Sequence, residues 1–345
     1  MKMTFRWYGP DDPVTLKNIK QIPGLTGIVT ALHDIPTGDV WTEEAIQMRK
    51  QIIESAGLSW DVIESIPLHE DIKRGLDTRD QYIENWIESL KAAGKSGIPI
   101  ICYNFMPIMD WTRTNLAHEL DDGSLTLTYV HEDLDKFNGS LPGWEEAYSP
   151  DELKAAIDAY KDIDEDTYWS HLKYFLDAVI PIAEEYGIKL AIHPDDPPFD
   201  LFGVKRIIKN IDSIKKLKSL NESHANGFTF CTGSYGILPQ NDLPEMVKEA
   251  GDRIHFVHAR NIIRTRVSDE TVDFEEATHH IGDLDLSAVI KALVDIGFEG
   301  PIRPDHGRSI WDEEGKAGYW LHDRALGAQY LLGLEKAYRS MKKVA

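Results

Sequence analysis

Four side chains able to bind a metal ion, His193, Cys231, His258 and Asp305, each stand at or near the end of a short β-rich run. The runs are IKLAIHP (188–194), GFTFCTG (227–233), RIHFVHAR (253–260) and PIRPDHG (301–307). Two imidazoles, a thiolate and a carboxylate make a mixed donor set. It suits Mn²⁺, Fe²⁺, Co²⁺ or Zn²⁺ and fits Mg²⁺ or Ca²⁺ poorly, because those two ions prefer all-oxygen shells. Ligand type does not select among the transition ions. Taken singly, each residue has an ordinary explanation. A strand-end His is usually hydrogen-bonded packing, a lone Cys is a small buried hydrophobe, and Asp305 can cap a following helix. Together they converge only if four strands lie side by side with their C-terminal ends pointing one way. A parallel barrel does this and carries its chemistry at that face.

Alternation along a strand puts residues two apart on one face. Ala191 and His193 oppose Leu190 and Ile192, Thr229 and Cys231 oppose Phe228 and Phe230, and Arg303 and Asp305 oppose Ile302 and Pro304. The bulky apolar set is expected to pack on helices and the polar set to point into the mouth. His258 shares its face with Ile254 and Phe256, so the pattern leaves its direction open.

Further polar groups cluster at the same ends. Arg6 and Trp7 fall in the first run, His33 ends the second and Asn104 the fourth. Arg260 and Asn261 follow His258, and His306 follows Asp305. Arginine grips carboxylates with a two-pronged hydrogen bond, so an anionic small molecule is expected there. Arg6, Trp7, His33, Asn104, Arg260 and Asn261 are taken as the substrate-binding set. For Arg303, an ion pair inside the barrel and a ligand contact are equally open. Tyr319, in the loop EEGKAGYW, can exchange a proton if its pKa is tuned; alone it reads as a packed aromatic.

These groups need a scaffold. Eight candidate strands appear: 3–8, 26–32, 59–65 and 99–105, then the four runs above. Helical patterns separate them at 43–56, 79–93, 166–186, 203–219, 242–250, 286–296 and 322–340. Eight strands alternating with helices predict a (β/α)₈ TIM barrel over 1–345 as a single domain. An open doubly wound sheet is the runner-up, but no GxGxxG follows the first strand. Residues 106–165 break the alternation, hold no convincing strand, and read as a long insertion after the fourth strand, a lid or an assembly element.

The chain carries a formal net charge of -21, which argues against nucleic acid or an anionic membrane as partner. Its two cysteines, Cys102 and Cys231, both sit in strand-like runs, so a structural disulfide is not expected. With no run of 18 apolar residues and no signal-like N-terminus, a cytoplasmic protein is expected.

The segments MKMTFRWYG, AIHPDDPP, FCTGS, VHARN and RPDHG, in this order and spacing, resemble the mannonate dehydratase family of bacterial hexuronate breakdown. The resemblance runs from Met1 to the last helix. It implies a (β/α)₈ barrel, dehydration of D-mannonate to 2-keto-3-deoxy-D-gluconate, and a homo-oligomer. It also implies a Mn²⁺ or Fe²⁺ ion held at His193, Cys231, His258 and Asp305, and acid–base roles for His306 and Tyr319. Three rivals remain: a metal-dependent sugar isomerase or epimerase on the same barrel, a phosphodiesterase, and a non-catalytic sugar-acid-binding barrel. Cys231 counts against the first, the acidic charge against the second, and the acid–base candidates against the third.

Overall fold

The computed structural model describes residues 1–136 and 149–344. Among them the strands are β1 (Lys2–Arg6), β2 (Gly27–Thr30), β3 (Ser59–Glu64), β4 (Ile100–Asn104), β5 (Asn115–Glu119) and β6 (Leu125–Tyr129). They continue with β7 (Lys189–His193), β8 (Asn226–Cys231), β9 (Ile254–Ala259), β10 (Asn261–Val267), β11 (Val272–Ala277) and β12 (Pro301–Pro304). Eight of them close a parallel barrel in the order β1-β12-β9-β8-β7-β4-β3-β2. All eight expected strand runs are present. Their shared direction brings the C-terminal ends to one rim.

The two faces of the barrel wall separate as alternation requires. Val29, Val62, Ile100, Cys102, Ala191 and Phe256 pack inside the barrel as a small cluster. Leu190, Ile192, Phe228, Phe230, Val257 and Ile302 join the larger outer core beneath the helices. Phe256 lies inside, so His258, two residues on, points inward as well. That settles the one strand whose direction the pattern left open. His255, on the opposite face, bonds the His224 carbonyl at 2.9 Å.

Surrounding helices start where polar caps meet their first-turn N–H groups. Thr42 caps Glu43–Ser55, Asp164 caps Glu165–Glu185, Asp242 caps Leu243–Ala250 and Asp285 caps Leu286–Asp295. The helix expected over 203–219 is shorter, Ile211–Leu220, with Asn210 as its cap. The cause is local. Asp195, just past β7, accepts the N–H groups of Ile207 and Ile208, each at 2.7 Å. Those residues are tied to the rim and cannot join the helix.

A second sheet departs from the expected plan. β10, β11, β6 and β5 form a four-stranded antiparallel sheet in that order. Residues 106–165 therefore hold two strands where none was expected, and 261–277 form a hairpin that the sequence pattern did not reveal. Acidic residues in VDFEEA and NLAHE lower strand propensity; β11 pairs with β10 and β5 with β6 as local hairpins, and Phe274–Tyr129 and Glu275–Thr128 join the two. Residues 137–148 of the expected insertion lie outside the described residues. β9 ends at Ala259 and β10 begins at Asn261, so Arg260 alone joins barrel to sheet.

Candidate active site

The barrel mouth encloses a cavity of about 400 Å³, within the usual range for a small-molecule site. Arg6, His33, Glu64, Asn104, Trp111, His193, His258, Asp305, His306, Lys316 and Tyr319 are among its walls. Strand ends deliver most of them, and the segment after β4 contributes Met106, Asp110 and Trp111.

At the cavity wall the four candidate ligands converge, His193, His258 and Asp305 lining it and Cys231 behind them. His193 Nε2 lies 3.1 Å from His258 Nδ1. Asp305 reaches both neighbours, with Oδ1 3.7 Å from His258 Nδ1 and Oδ2 3.7 Å from Cys231 Sγ. Donor atoms of His193, Cys231 and His258 all lie within 4.8 Å of one another.

This donor set fits a divalent transition ion. His193 Nδ1 meets the Pro194 carbonyl at 2.7 Å. A carbonyl only accepts, so Nδ1 carries the hydrogen and Nε2 presents its lone pair inward. Burial lowers the His193 pKa, a shift that Asp305 partly opposes, and the ring is neutral at neutral pH. His258 Nε2 faces Glu64 Oε2 at 3.3 Å. With protons on the outer nitrogens, two lone pairs face each other, an arrangement that a shared cation relieves. Ser234 directs its N–H at 3.4 Å and its hydroxyl at 3.1 Å to Cys231 Sγ, which favours a sulfur carrying negative charge. An overlapping donor group of Glu64, Cys102 and His258 exists. Burial, with Glu64 beside it, pushes the Cys102 thiol well above its ordinary pKa, which opposes the thiolate that a cation binds, so the first group is the better cation site.

Charged neighbours hold the Asp305 carboxylate. Burial alone would push its pKa up. Arg303, then His306, His258 and Arg260, hold it well below the usual carboxylate range. Arg303 Nη1 sits 2.7 Å from Oδ1 and Arg260 Nε 3.1 Å from Oδ2. Glu64 behaves alike: burial raises it, and Arg303, His258 and Arg6 bring it well below its ordinary value. Arg303 is therefore an ion-pair residue that also touches the cavity.

Beside the donor cluster, His306 Nε2 stands 3.1 Å from the Tyr319 hydroxyl. On its other edge His306 Nδ1 lies 2.8 Å from each oxygen of Glu276. Burial, with help from Asp305 and Glu64 and against Arg303 and Arg6, pushes Tyr319 up to about 12. The preceding Gly318 has φ +79, and a Cβ there would meet Leu127 of β6 at 2.8 Å. The second sheet thus presses on the loop that carries Tyr319.

Behind these groups runs a buried charge network. Arg260 pairs with Asp196 and Glu276, each at 2.6 Å. Arg113 pairs with the same two carboxylates, at 3.0 and 2.7 Å. Gly233 gives Arg260 its place, since a Cβ there would come within 2.0 Å of the guanidinium Nε.

Of the residues singled out from sequence, Arg6, His33 and Asn104 line the cavity. Arg6 donates to the Glu64 carbonyl and its Nη2 lies 3.4 Å from His33 Nε2. Trp7, Arg260 and Asn261 are not among the lining residues. The Trp7 ring is buried under the Arg49 guanidinium at 5.6 Å. Asn261 donates to the carbonyls of His279 and Leu284, at 3.3 and 2.9 Å, and ties down that loop. Arg260 is consumed by its ion pairs. Glu64 and Asp196 escaped notice although both stand at strand ends, where the same rule would have found them. Glu276 and Arg113 carried no local signal, since the second sheet brings them in.

A D-mannonate dehydratase (UxuA) family model matches residues 1–345. The chain is 53% identical over 341 residues to a mannonate dehydratase of Oceanobacillus iheyensis, covering 97% of each chain. It resembles a crystal structure of mannonate dehydratase from Streptococcus suis serotype 2 with TM-score 0.90 and 46% identity, covering 99% of this chain and 95% of that one. A D-psicose 3-epimerase from Clostridium cellulolyticum H10 aligns over 98% of this chain and 99% of its own, with TM-score 0.60 and 13% identity. That last likeness concerns the fold alone.

Proposed function

The chain belongs to the D-mannonate dehydratase family, and from that membership we propose how its barrel mouth removes water from D-mannonate to give 2-keto-3-deoxy-D-gluconate. The enzyme is a hydro-lyase. One observation carries the reading of its site: a buried His–Tyr pair stands against a convergent N, S and O donor set at the wall of one polar cavity.

The family is metal-dependent, and His193, Cys231, His258 and Asp305 would hold the ion, taken here as Mn²⁺ or Fe²⁺. When bound it supplies Lewis acidity that stabilises negative charge growing on substrate oxygens. Arg6, supported by His33, orients the substrate carboxylate, and Lys316 adds a cation at the rim. Asn104 offers hydrogen bonds to hydroxyls. Of His306 and Tyr319, one takes the proton from C2 and the other protonates the C3 oxygen, which leaves as water. Each contribution is worth about 10²–10⁴-fold. The enol left between C2 and C3 tautomerises to the ketone.

We treat residues 1–345 as a single barrel domain carrying 106–165 as a lid or assembly insertion, of whose described residues Met106, Asp110 and Trp111 line the cavity. A homo-oligomer in a cytoplasmic setting, acting on a small sugar acid with neither nucleic acid nor membrane as partner, completes the reading; light scattering of the purified protein checks the assembly. The deciding experiment incubates metal-loaded protein with D-mannonate. The expected product is a 2-keto-3-deoxy acid. An isomerised sugar acid formed without loss of water would replace this function with an epimerase or isomerase.

A further inference from the structure

We propose that Glu276 is a positioning residue that fixes the tautomer of His306, making His306 Nε2 the proton acceptor and the Tyr319 hydroxyl the proton donor of the dehydration. The proposal rests on the acid–base reading above and deepens it by dividing the labour within the pair.

Glu276 comes from β11 of the second sheet and is buried among cations. His306 Nδ1 stands 2.8 Å from both of its oxygens, which differ in their other partners. Oε1 accepts from Arg113 Nε at 2.9 Å, Arg113 Nη2 at 2.7 Å and Arg260 Nη1 at 2.6 Å. Oε2 lies 2.8 Å from His306 Nδ1. An ionised carboxylate can only accept, so Nδ1 carries the hydrogen. Arg113 and Arg260 on Oε1 keep the carboxylate charged. A ring that is to accept a proton enters the reaction neutral, and with hydrogen on Nδ1 its lone pair is on Nε2. That lone pair faces the Tyr319 hydroxyl at 3.1 Å, so the phenol donates. Trp111 covers the ring, its centroid 5.6 Å from that of His306.

The proton count then closes. His306 Nε2 takes the C2 proton, the electron pair of that C–H bond forms the C2–C3 double bond, and the C3–O bond breaks. Tyr319 gives its proton to the departing oxygen, and water leaves. The imidazolium, balanced by Glu276, returns its Nε2 proton to the phenolate across their hydrogen bond. Both residues regain their starting states. A carboxylate behind an imidazole plays the same orienting and charge-balancing part in serine hydrolases.

A purely structural role would have Glu276 only neutralise Arg113 and Arg260, and the test separates the two. In Glu276→Gln, the arginines require an acceptor and draw the amide oxygen to themselves. The amide NH₂ then replaces Oε2 at Nδ1, a donor set against a donor, and leaves Oε1, already accepting from both arginines, as the one acceptor for Nδ1, so the balance moves towards hydrogen on Nε2, the wrong tautomer. With the variant fully metal-loaded by elemental analysis, kcat should fall on the order of 10²–10⁴-fold while KM stays within about threefold. In ¹⁵N-histidine-labelled protein loaded with diamagnetic Zn²⁺, the His306 signal, assigned by its loss in His306→Gln, should report hydrogen on Nδ1 in the parent and on Nε2 in Glu276→Gln. A parent ring protonated at Nε2 alone overturns the proposal, as does a fully loaded Glu276→Gln with kcat within about threefold of the parent. If Glu276→Gln does not fold, the parent tautomer alone decides. A parent without mannonate turnover would sink the functional reading instead, and the tautomer would still report on the positioning role.

Discussion

The barrel and the second sheet handle charge in opposite ways. Barrel strands carry their polar groups to an open rim, where His193, His258, Asp305 and Arg6 face a cavity. The sheet and its approach segment send Glu276 and Arg113 into a buried network with Arg260, behind the cavity wall, and with Asp196, which touches the cavity. Reactive groups need access to a substrate, whereas the groups that aim them gain strength from exclusion of water. On the proposed division of roles, the extra sheet serves the catalytic apparatus while lying outside the mouth.

The comparison can be broken at several points. Stripping metal with EDTA should abolish mannonate turnover, and Mn²⁺ or Fe²⁺ should restore it. Full turnover in rigorously metal-free protein would remove the barrel's half of the scheme. Tyr319→Phe should cost about 10²–10⁴-fold in kcat with metal content unchanged; turnover at the parent rate would exclude Tyr319 from proton transfer. Cys231→Ser should lower metal retention measured by elemental analysis, and unchanged content would exclude that sulfur as a ligand.

On the sheet side, Arg113→Met leaves Asp196 and Glu276 short of a buried partner. Breaking such a pair destabilises by about 3–5 kcal/mol, to be read by denaturant unfolding with metal content retained. A loss below about 1 kcal/mol would mean that water enters the network and the contrast fails. The smallest expected effect is a pH dependence. Glu276 has a folded pKa of about 2 against an ordinary 4.5. Its contribution is complete above the ordinary value and drains away as pH falls towards about 2. Parent and Glu276→Gln stability curves should therefore approach each other on acidification below about pH 4.5. Parallel curves through that range would show that Glu276 is not held as an anion.

The barrel is legible from sequence because each of its strands is a local run with a clear stop, and ligands stand at fixed places in those runs. PIRPDHG needs no partner to announce Asp305 and His306. The second sheet is harder to read. VDFEEA is a strand in a hairpin with NIIRTRV, and its further partners Tyr129 and Thr128 lie far earlier in the chain. Its acidic residues look like a solvated loop until Arg113 and Arg260 meet one of them. Sequence alone locates Arg260 correctly and assigns it the wrong role. Its position beside His258 is visible, while the carboxylates that occupy it come from elsewhere in the chain. Trp7 is drawn in by adjacency to Arg6, which lines the cavity, and Asn261 by adjacency to Arg260, which does not.

Only Arg260 separates the last residue of β9 from the first of β10. Two residues on one side of it is an imidazole of the donor cluster, and on the other the hairpin departs. Such a tether has no slack. Transplanting the hairpin from a related barrel, or lengthening this joint by even one glycine, would rotate the guanidinium out of its socket and tilt both neighbouring architectures together.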